Sequence, residues 1–224
     1  VKKYLLTLNA YPEGHEMNRI FKSIVKPNFD KYCQLNNFEL IVINHNVAYP
    51  LHIHWSKIIW IQENWKRFRK GDIITYIDSD SLIMDMTKDL AFEKTFAIPI
   101  ESTGLYCMGF FSVHVCDWVK NLFEIMLSFE PACNKSFNDN HAFYLALGKH
   151  FGQNDIENEN IQLLPVNYNV TIIPDELTDK DSHVQDILKQ YYKPELAIPK
   201  EEIIIRHFAA GQIYYDFVNN YLKT

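Results

Sequence analysis

Ile73-Ile74-Thr75-Tyr76-Ile77-Asp78-Ser79-Asp80-Ser81-Leu82-Ile83 is the stretch from which the fold of this chain is read. Gly71-Asp72 closes whatever precedes it. The short apolar run that follows, rich in β-branched and aromatic residues, predicts a buried strand. It stops at two carboxylates in positions i and i+2, which point the same way in extended chain. Asp78 and Asp80 therefore face one point at the carboxyl end of a strand, where open α/β sheets bind ligands. Two hard oxygen donors there suit a divalent cation, and the cation suits a phosphate.

Asp-x-Asp by itself says little, and the chain carries its own control. Asp179-Lys180-Asp181 has the same spacing, but no apolar run leads into it and a lysine parts the carboxylates; it reads as a turn or helix start. A strand-end turn or helix cap would also account for Asp78 and Asp80. The buried strand in front of them favours the ligand reading.

Working outward, 224 residues are enough for one domain with a sizeable core, and 47% apolar content excludes a disordered chain. The net charge of −6 argues against a nucleic-acid binder. The basic run Lys66-Arg67-Phe68-Arg69-Lys70 reads as the end of a helix, where cations complement the dipole. Cys33, Cys107, Cys116 and Cys133 have no C-x-x-C spacing and no secretory leader is visible, so free thiols and a cytoplasmic setting are expected. No apolar run approaches the ~18 residues of a membrane span. The sequence begins at Val1 and not at methionine, which leaves open what precedes it.

In chain order, 3–8 predicts a first strand, running into the polar loop 9–14. Neither a dinucleotide fingerprint nor a P-loop is present. A helix is expected over 16–36, broken or kinked at Pro27, then a strand over 38–43. Residues 55–70 form the most regular helical pattern, with Ile58, Ile61, Trp65 and Phe68 on one face. This strand–helix rhythm predicts an α/β fold with a sheet covered on both faces. Further on, strands are expected over 96–100, 106–115, 161–164, 170–173 and 202–207, and helices over 117–129, 138–147 and 182–192. No repeat or linker appears, so one domain is expected over 1–224, with a nucleotide half to about residue 95 and an acceptor half from about 96.

Along most of its length the sequence resembles the metal-dependent GT-A glycosyltransferases, in particular the fungal galactosyl/mannosyltransferases and plant xylosyltransferases. Tyr32-Cys33-Gln34-Leu35-Asn36-Asn37-Phe38-Glu39-Leu40 is similar to that group's YA-x-x-HGY passage, and Trp55-Ser56-Lys57-Ile58 to its W-x-K-I. Asp78-Ser79-Asp80-Ser81-Leu82-Ile83-Met84 is similar to DSDALIM almost letter for letter. Met108-Gly109-Phe110-Phe111 stands at N-x-G-x-F, Asp139-Asn140 near a DQ pair, and His207, ahead of Gly211, at the late histidine of the metal site. Asn36-Asn37 replaces His-Gly, Asn140 replaces glutamine, and the asparagine before Gly109 is missing. The short chain also resembles glycosyltransferase domains of large algal viruses.

The resemblance implies a mixed, mostly parallel GT-A sheet and transfer of a UDP-hexose or UDP-deoxyhexose to a glycan or glycoprotein, with retention. It implies a metal site of Asp78, Asp80 and His207; the imidazole nitrogen favours Mn²⁺, with Mg²⁺ as the alternative. Thr7, Asn9 and Tyr11 lie where a uridine would sit, Lys57 and Gly211 are placed for the diphosphate, and Ser79 lies between the metal carboxylates. Asp139 is the candidate catalytic carboxylate, orienting sugar hydroxyls or acting as general base in an inverting enzyme. Each also has a plain reading: loop residues for the first three, surface for Lys57, a turn for Gly211, a strand-end histidine for His207, a helix cap for Asp139. Two other functions compete. A haloacid-dehalogenase-type phosphatase also follows an apolar strand with Asp-x-Asp, but Leu82 stands where its Thr or Val is usual. A non-catalytic carbohydrate- or nucleotide-binding module would keep the fold alone.

Overall fold

A computed structural model describes residues 1–133, 138–171 and 193–208. The helix expected over 182–192, residues 172–173 and Gly211 lie outside them. The described strands are β1 (Lys3–Leu8), β2 (Phe38–Ile43), β3 (Ile73–Ile77), β4 (Ser81–Ile83), β5 (Phe96–Pro99), β6 (Phe110–His114), β7 (Ile161–Leu164) and β8 (Ile205–His207). The helices are α1 (Glu16–Ile20), α2 (Lys26–Asn36), α3 (Ser56–Glu63), α4 (Asp117–Ser128), α5 (Glu130–Cys133) and α6 (Asn138–Ala146). Six strands form the main sheet in the order β2-β1-β3-β6-β5-β7, and β4 and β8 form a separate antiparallel pair. Within the main sheet β6 alone runs against its neighbours β3 and β5; the β1–β2, β1–β3 and β5–β7 pairs are parallel. This is the mixed, mostly parallel α/β sheet expected.

Strand alternation divides the core into two layers. Tyr4, Leu6, Ile74, Tyr76, Phe96, Ile98, Phe111 and Val113 pack against side chains of α3, α4 and α6. From the other face, Leu5, Ile77, Ala97 and Phe110 pack against α1, α2 and the small sheet. With both faces covered, β3 is buried along its whole length.

Pro27 neither breaks nor ends its helix. Phe21–Val25 form a π-helical turn, in which the Lys26 N–H reaches back to the Phe21 carbonyl, and Pro27 falls in the first turn of α2. The wider turn places the proline where its missing N–H is tolerated. α2 ends at Asn37, which is left-handed at φ 58° and returns its N–H to the Cys33 carbonyl. The family motif has glycine at this place; asparagine is the other residue that enters this conformation readily.

The helix expected over 55–70 is shorter. It stops at Glu63, where the Asn64 side chain donates to the Trp60 carbonyl at 2.9 Å and competes for the helix end. Trp65–Arg67 form a 3-10 turn, so the basic run lies on that turn and the loop beyond, not in the last turn of α3. The strands expected over 96–100 and 106–115 shrink to β5 and β6. Ile100 and Tyr106 make one antiparallel bridge at the neck of the intervening loop. The strand expected over 202–207 is paired only from Ile205, and Lys200–Glu202 form a 3-10 turn.

Candidate metal and donor site

β3 delivers Asp78 to the carboxyl edge of the sheet, and Asp80 follows on the turn into β4. The third member arrives from the far end of the described chain. β4 and β8 pair with Ser81 opposite His207, and the Phe208 N–H donates to the Asp80 carbonyl at 2.8 Å. His207 Nε2 lies 3.3 Å from Asp80 Oδ1 and 3.8 Å from Asp78 Oδ2. Its other nitrogen, Nδ1, is 3.0 Å from Asn169 Oδ1. A proton on Nδ1 serves that bond and leaves Nε2 as a lone-pair donor toward the carboxylates, the usual outer support of a metal-binding imidazole.

Asp78, Asp80 and His207 thus form a group with ligand atoms close enough together to hold one metal ion. Burial works against charge on His207, but Asp80 beside it raises the imidazole well above its usual pKa. Burial likewise opposes charge on Asp80, and the imidazole more than compensates, holding that carboxyl below the usual range. A cation binding here takes the place of the proton. The backbone is shaped for this approach. Gly109 lies across from Asp78, whose N–H donates to the Gly109 carbonyl at 2.9 Å. A Cβ on Gly109 would meet Asp78 Oδ2 at 2.7 Å and His207 Cε1 at 2.9 Å. Glycine is what lets carboxylate and imidazole converge.

A second, drier cluster adjoins the first. Lys57, in the first turn of α3, is 4% exposed at its side chain and lies 2.8 Å from Asp139 Oδ2, also 4% exposed, on the first turn of α6. Its Nζ is 3.7 Å from Asp78 Oδ1 and donates to the Met108 carbonyl at 2.9 Å. Burial favours a neutral amine, but Asp139 and Asp78 outweigh it and push the Lys57 pKa up. The plain alternative for Lys57, solvated surface, does not hold: a cation at a helix start, against the dipole, is held by two carboxylates. Asp139 reaches outward to His54, 3.9 Å away.

Thr7 and Asn9 are buried at the end of β1 and the start of its loop. Asn9 Nδ2 donates to Asn18 Oδ1 at 3.1 Å, while Asn9 Oδ1 and Thr7 Oγ1 have no hydrogen-bond partner among the described residues. Tyr11 is half-exposed and stacks on His15 at 5.0 Å. Burial, then the charges of Asp80 and Asp78, raise its phenol pKa. Ser79 is half-buried between the two aspartates. Of the residues read from the sequence, the structure gathers Asp78, Asp80, His207, Lys57, Asp139 and Tyr11 in one neighbourhood; Gly211 lies outside the described residues.

Sequence reasoning missed several partners. Tyr76 reads as core, yet its O–H donates to Asp78 Oδ1 at 2.7 Å and its ring lies under the Lys57 ammonium at 4.8 Å. Asn140, where the family has glutamine, accepts from the Met108 N–H at 2.7 Å and anchors the loop before Gly109. Cys107, at the place of the missing asparagine, accepts from the Gly109 N–H at 3.4 Å. Asn169 had no sequence signal beyond its polarity. Glu101, held by Thr103 Oγ1 at 2.7 Å, is pushed up in pKa by burial, with His207 among the groups that pull it back.

Comparison with known proteins agrees with this geometry. Residues 4–97 match the model of the galactosyl transferase GMA12/MNN10 family, a span that includes most of β1, Lys57 and the Asp78–Asp80 turn. Among solved structures, the chain is similar to a glycosyltransferase involved in glycosylation of the major capsid of PBCV-1, with TM-score 0.63 and 12% identity over 100% of both chains. It is similar to glycosyltransferase GlyE of Streptococcus pneumoniae TIGR4, with TM-score 0.53 and 14% identity over 99% of this chain and 64% of that one. Mouse xyloside xylosyltransferase 1 gives TM-score 0.53 and 12% identity over 94% of this chain and 98% of that one. At such identities the likeness is one of fold. No curated protein sequence matches the chain significantly.

Proposed function

We propose that this chain is a glycosyltransferase of the GT-A type that moves a hexose or deoxyhexose from a UDP-sugar to a glycan or glycoprotein, with retention and with Mn²⁺ as cofactor; the match of residues 4–97 to a galactosyl transferase family and the shared fold support the reading. The observation that carries the reading is the convergence of Asp78, Asp80 and His207 Nε2 at the carboxyl edge of β3, with His207 Nδ1 already engaged by Asn169. Two carboxylates and one imidazole suit Mn²⁺ better than Mg²⁺, which prefers oxygen ligands and retained waters. The ion would supply Lewis-acid neutralisation of the diphosphate leaving group, worth several kcal/mol.

The protein's own groups take the remaining tasks. Asn9 Oδ1, buried and without a partner among the described residues, offers an acceptor for the N–H of a uracil, and Thr7 Oγ1 is likewise without one there. Tyr11 supplies an aromatic surface at the mouth. Lys57 supplies fixed positive charge next to the metal carboxylates for the diphosphate. Asp139 is tied to that ammonium and to His54, which suits a carboxylate that orients sugar hydroxyls more than a freely swinging base. Ser79 and, beyond the described residues, Gly211 complete the donor set. On this reading the seam near residue 95 parts a donor half from an acceptor half. No described helix is long and apolar enough to cross a membrane. Four free thiols support a cytoplasmic setting.

A thermal-shift screen of UDP-sugars with and without Mn²⁺ tests this, because binding to folded protein alone raises the apparent midpoint. One UDP-sugar should stabilise the protein, and EDTA should remove most of the gain. Stabilisation by no UDP-sugar, or by one that EDTA leaves unchanged, would sink the reading.

A further inference from the structure

The basic run Lys66-Arg67-Phe68-Arg69-Lys70 has no task in the site described above. Phe68, at its middle, is buried and packs edge-on against Tyr4 at 5.0 Å, while the four cations around it are exposed. The run lies past the end of α3, so the helix dipole does not account for it. Among the described residues none of the four makes an ion pair. Lys2 joins them at the same sheet edge. Its N–H donates to Asp72 Oδ1 and its carbonyl accepts from the Ile73 N–H, both at 2.9 Å, and its side chain is exposed. Two half-buried indoles adjoin the run: Trp65, just before it, and Trp60, over whose ring the Arg67 guanidinium lies at 5.5 Å. The start of α4 abuts it too, because Gly71 donates to the Val115 carbonyl at 2.9 Å and Val115 to the Asp72 carbonyl at 2.7 Å. Further along α4, Trp118, Leu122 and Ile125, with Ala146 and Leu147, wall an open hollow of about 390 Å³, and Ile125 is 45% exposed.

We propose that this edge is a docking face for the surface of an anionic phospholipid bilayer. Unpaired cations meet headgroup phosphates, indoles sit at the level of the headgroups, and the apolar hollow meets the start of the hydrocarbon. The same combination argues against a nucleic acid, which would pair with the cations but offer nothing to Leu122 and Ile125. The net charge of −6 does not forbid the contact: acidic groups beyond a screening length of about 8 Å are hardly felt, whereas the five cations touch the surface. The face precedes β3 and the Asp78–Asp80 turn follows it. Five strand residues at about 3.3 Å each put roughly 17 Å between the two, so a docked protein keeps that turn open to solution. The proposal is independent of what the other edge of the sheet transfers.

Flotation with lipid vesicles tests it. The protein should float with vesicles of phosphatidylcholine containing about 30% phosphatidylserine and stay behind with phosphatidylcholine alone. Raising the salt to about 0.5 M should release most of it, because screening then acts within a few ångströms. Lys66→Gln/Arg69→Gln/Lys70→Gln should bind the anionic vesicles about a hundredfold more weakly, since three surface cations are lost. Arg67 is left in place because it covers Trp60. Ile125→Asp, at the rim of the hollow, should weaken binding about tenfold. All the substituted side chains are exposed, so both variants should keep the wild-type thermal midpoint within a few degrees, and they should keep its thermal response to UDP-sugars. No flotation of the wild type, equal flotation with phosphatidylcholine alone, or undiminished flotation of either variant overturns the proposal. So does a wild type that binds a duplex DNA or RNA oligonucleotide through the same three cations and ignores vesicles. A wild type that floats as expected but responds to no UDP-sugar leaves the docking face standing and removes the donor reading.

Discussion

The first and second halves of the sheet reach the same edge by different routes. From β1 to β3, helical segments connect successive strands, the strands run parallel, and Asp78 and Asp80 sit two residues apart on the turn from β3 into β4. From β5 to β8, strand direction reverses at β6, and the site is completed by pairings between residues far apart in sequence: Gly109 across from Asp78, His207 across from Ser81. The Asp78–Asp80 side is thus built from local sequence, and the side that closes over it from long-range registry. The lesson is that half of the candidate metal site survives as a motif, while the other half exists only when the sheet is correctly paired.

Substitutions can break that contrast. The largest effect is expected at the local half: Asp78→Ala or Asp80→Ala should lower turnover by about 10³-fold or more, since several kcal/mol of leaving-group stabilisation goes with the ion. The thermal midpoint should move by only a few degrees without metal, as both side chains are a quarter or more exposed. Either variant keeping wild-type turnover in excess EDTA would remove the basis for the site. His207→Ala should be milder, about a hundredfold in kcat/KM, or about 2.7 kcal/mol. It should also respond to added Mn²⁺, because the local carboxylates remain. If it proves as severe as Asp80→Ala, the two halves are not separable.

Gly109→Ala probes the registry itself. The new methyl must displace Asp78 Oδ2 or His207, an overpacking cost of about 1–3 kcal/mol. Weaker Mn²⁺ binding at near-normal UDP binding by calorimetry is the expected split; unchanged Mn²⁺ binding would show that the strands accommodate the methyl elsewhere. The smallest effect lies at the opposite edge of the sheet. Asp72 is buried there, and although burial opposes its charge, N–H bonds from Lys2 and Arg69, both 2.9 Å, hold its carboxyl below the usual range. A depressed native pKa gives stability that is complete above the unfolded value of about 4 and fades as pH falls through the native value. Asp72→Asn should therefore cost about 1–2 kcal/mol at pH 7, and the gap to wild type in denaturant melts should close below about pH 4. A gap that persists at pH 2.5 would mean that charge is not what Asp72 contributes.

What could be read beforehand follows the same division. β1, β2, β3 and the Asp78–Asp80 turn were legible because their signals, an apolar run and a two-residue spacing, are local. Pro27 was legible as a disturbance but not in kind, since a π-helical turn depends on how the next turn packs. His207 was placed at a strand end by the apolar run before it and at the metal by resemblance; nothing near it in sequence says that β8 pairs with β4. Tyr76 carries the same letter whether its hydroxyl is idle or bonded to Asp78. The burial of Lys57 came from α3 and α6 meeting, which no helical periodicity reports. Asn37 shows the opposite case: a departure from the family's glycine that backbone conformation explains at once.

The short β4–β8 pair has one more bearing on the molecule. It fastens residues more than a hundred positions apart with three paired residues on each side. An ion held by Asp78, Asp80 and His207 would be a clasp across that long loop, and long loops are where a fastening removes the most freedom from the unfolded chain. Deprived of such an ion, the protein would lose a buckle that holds two distant stretches of its chain together.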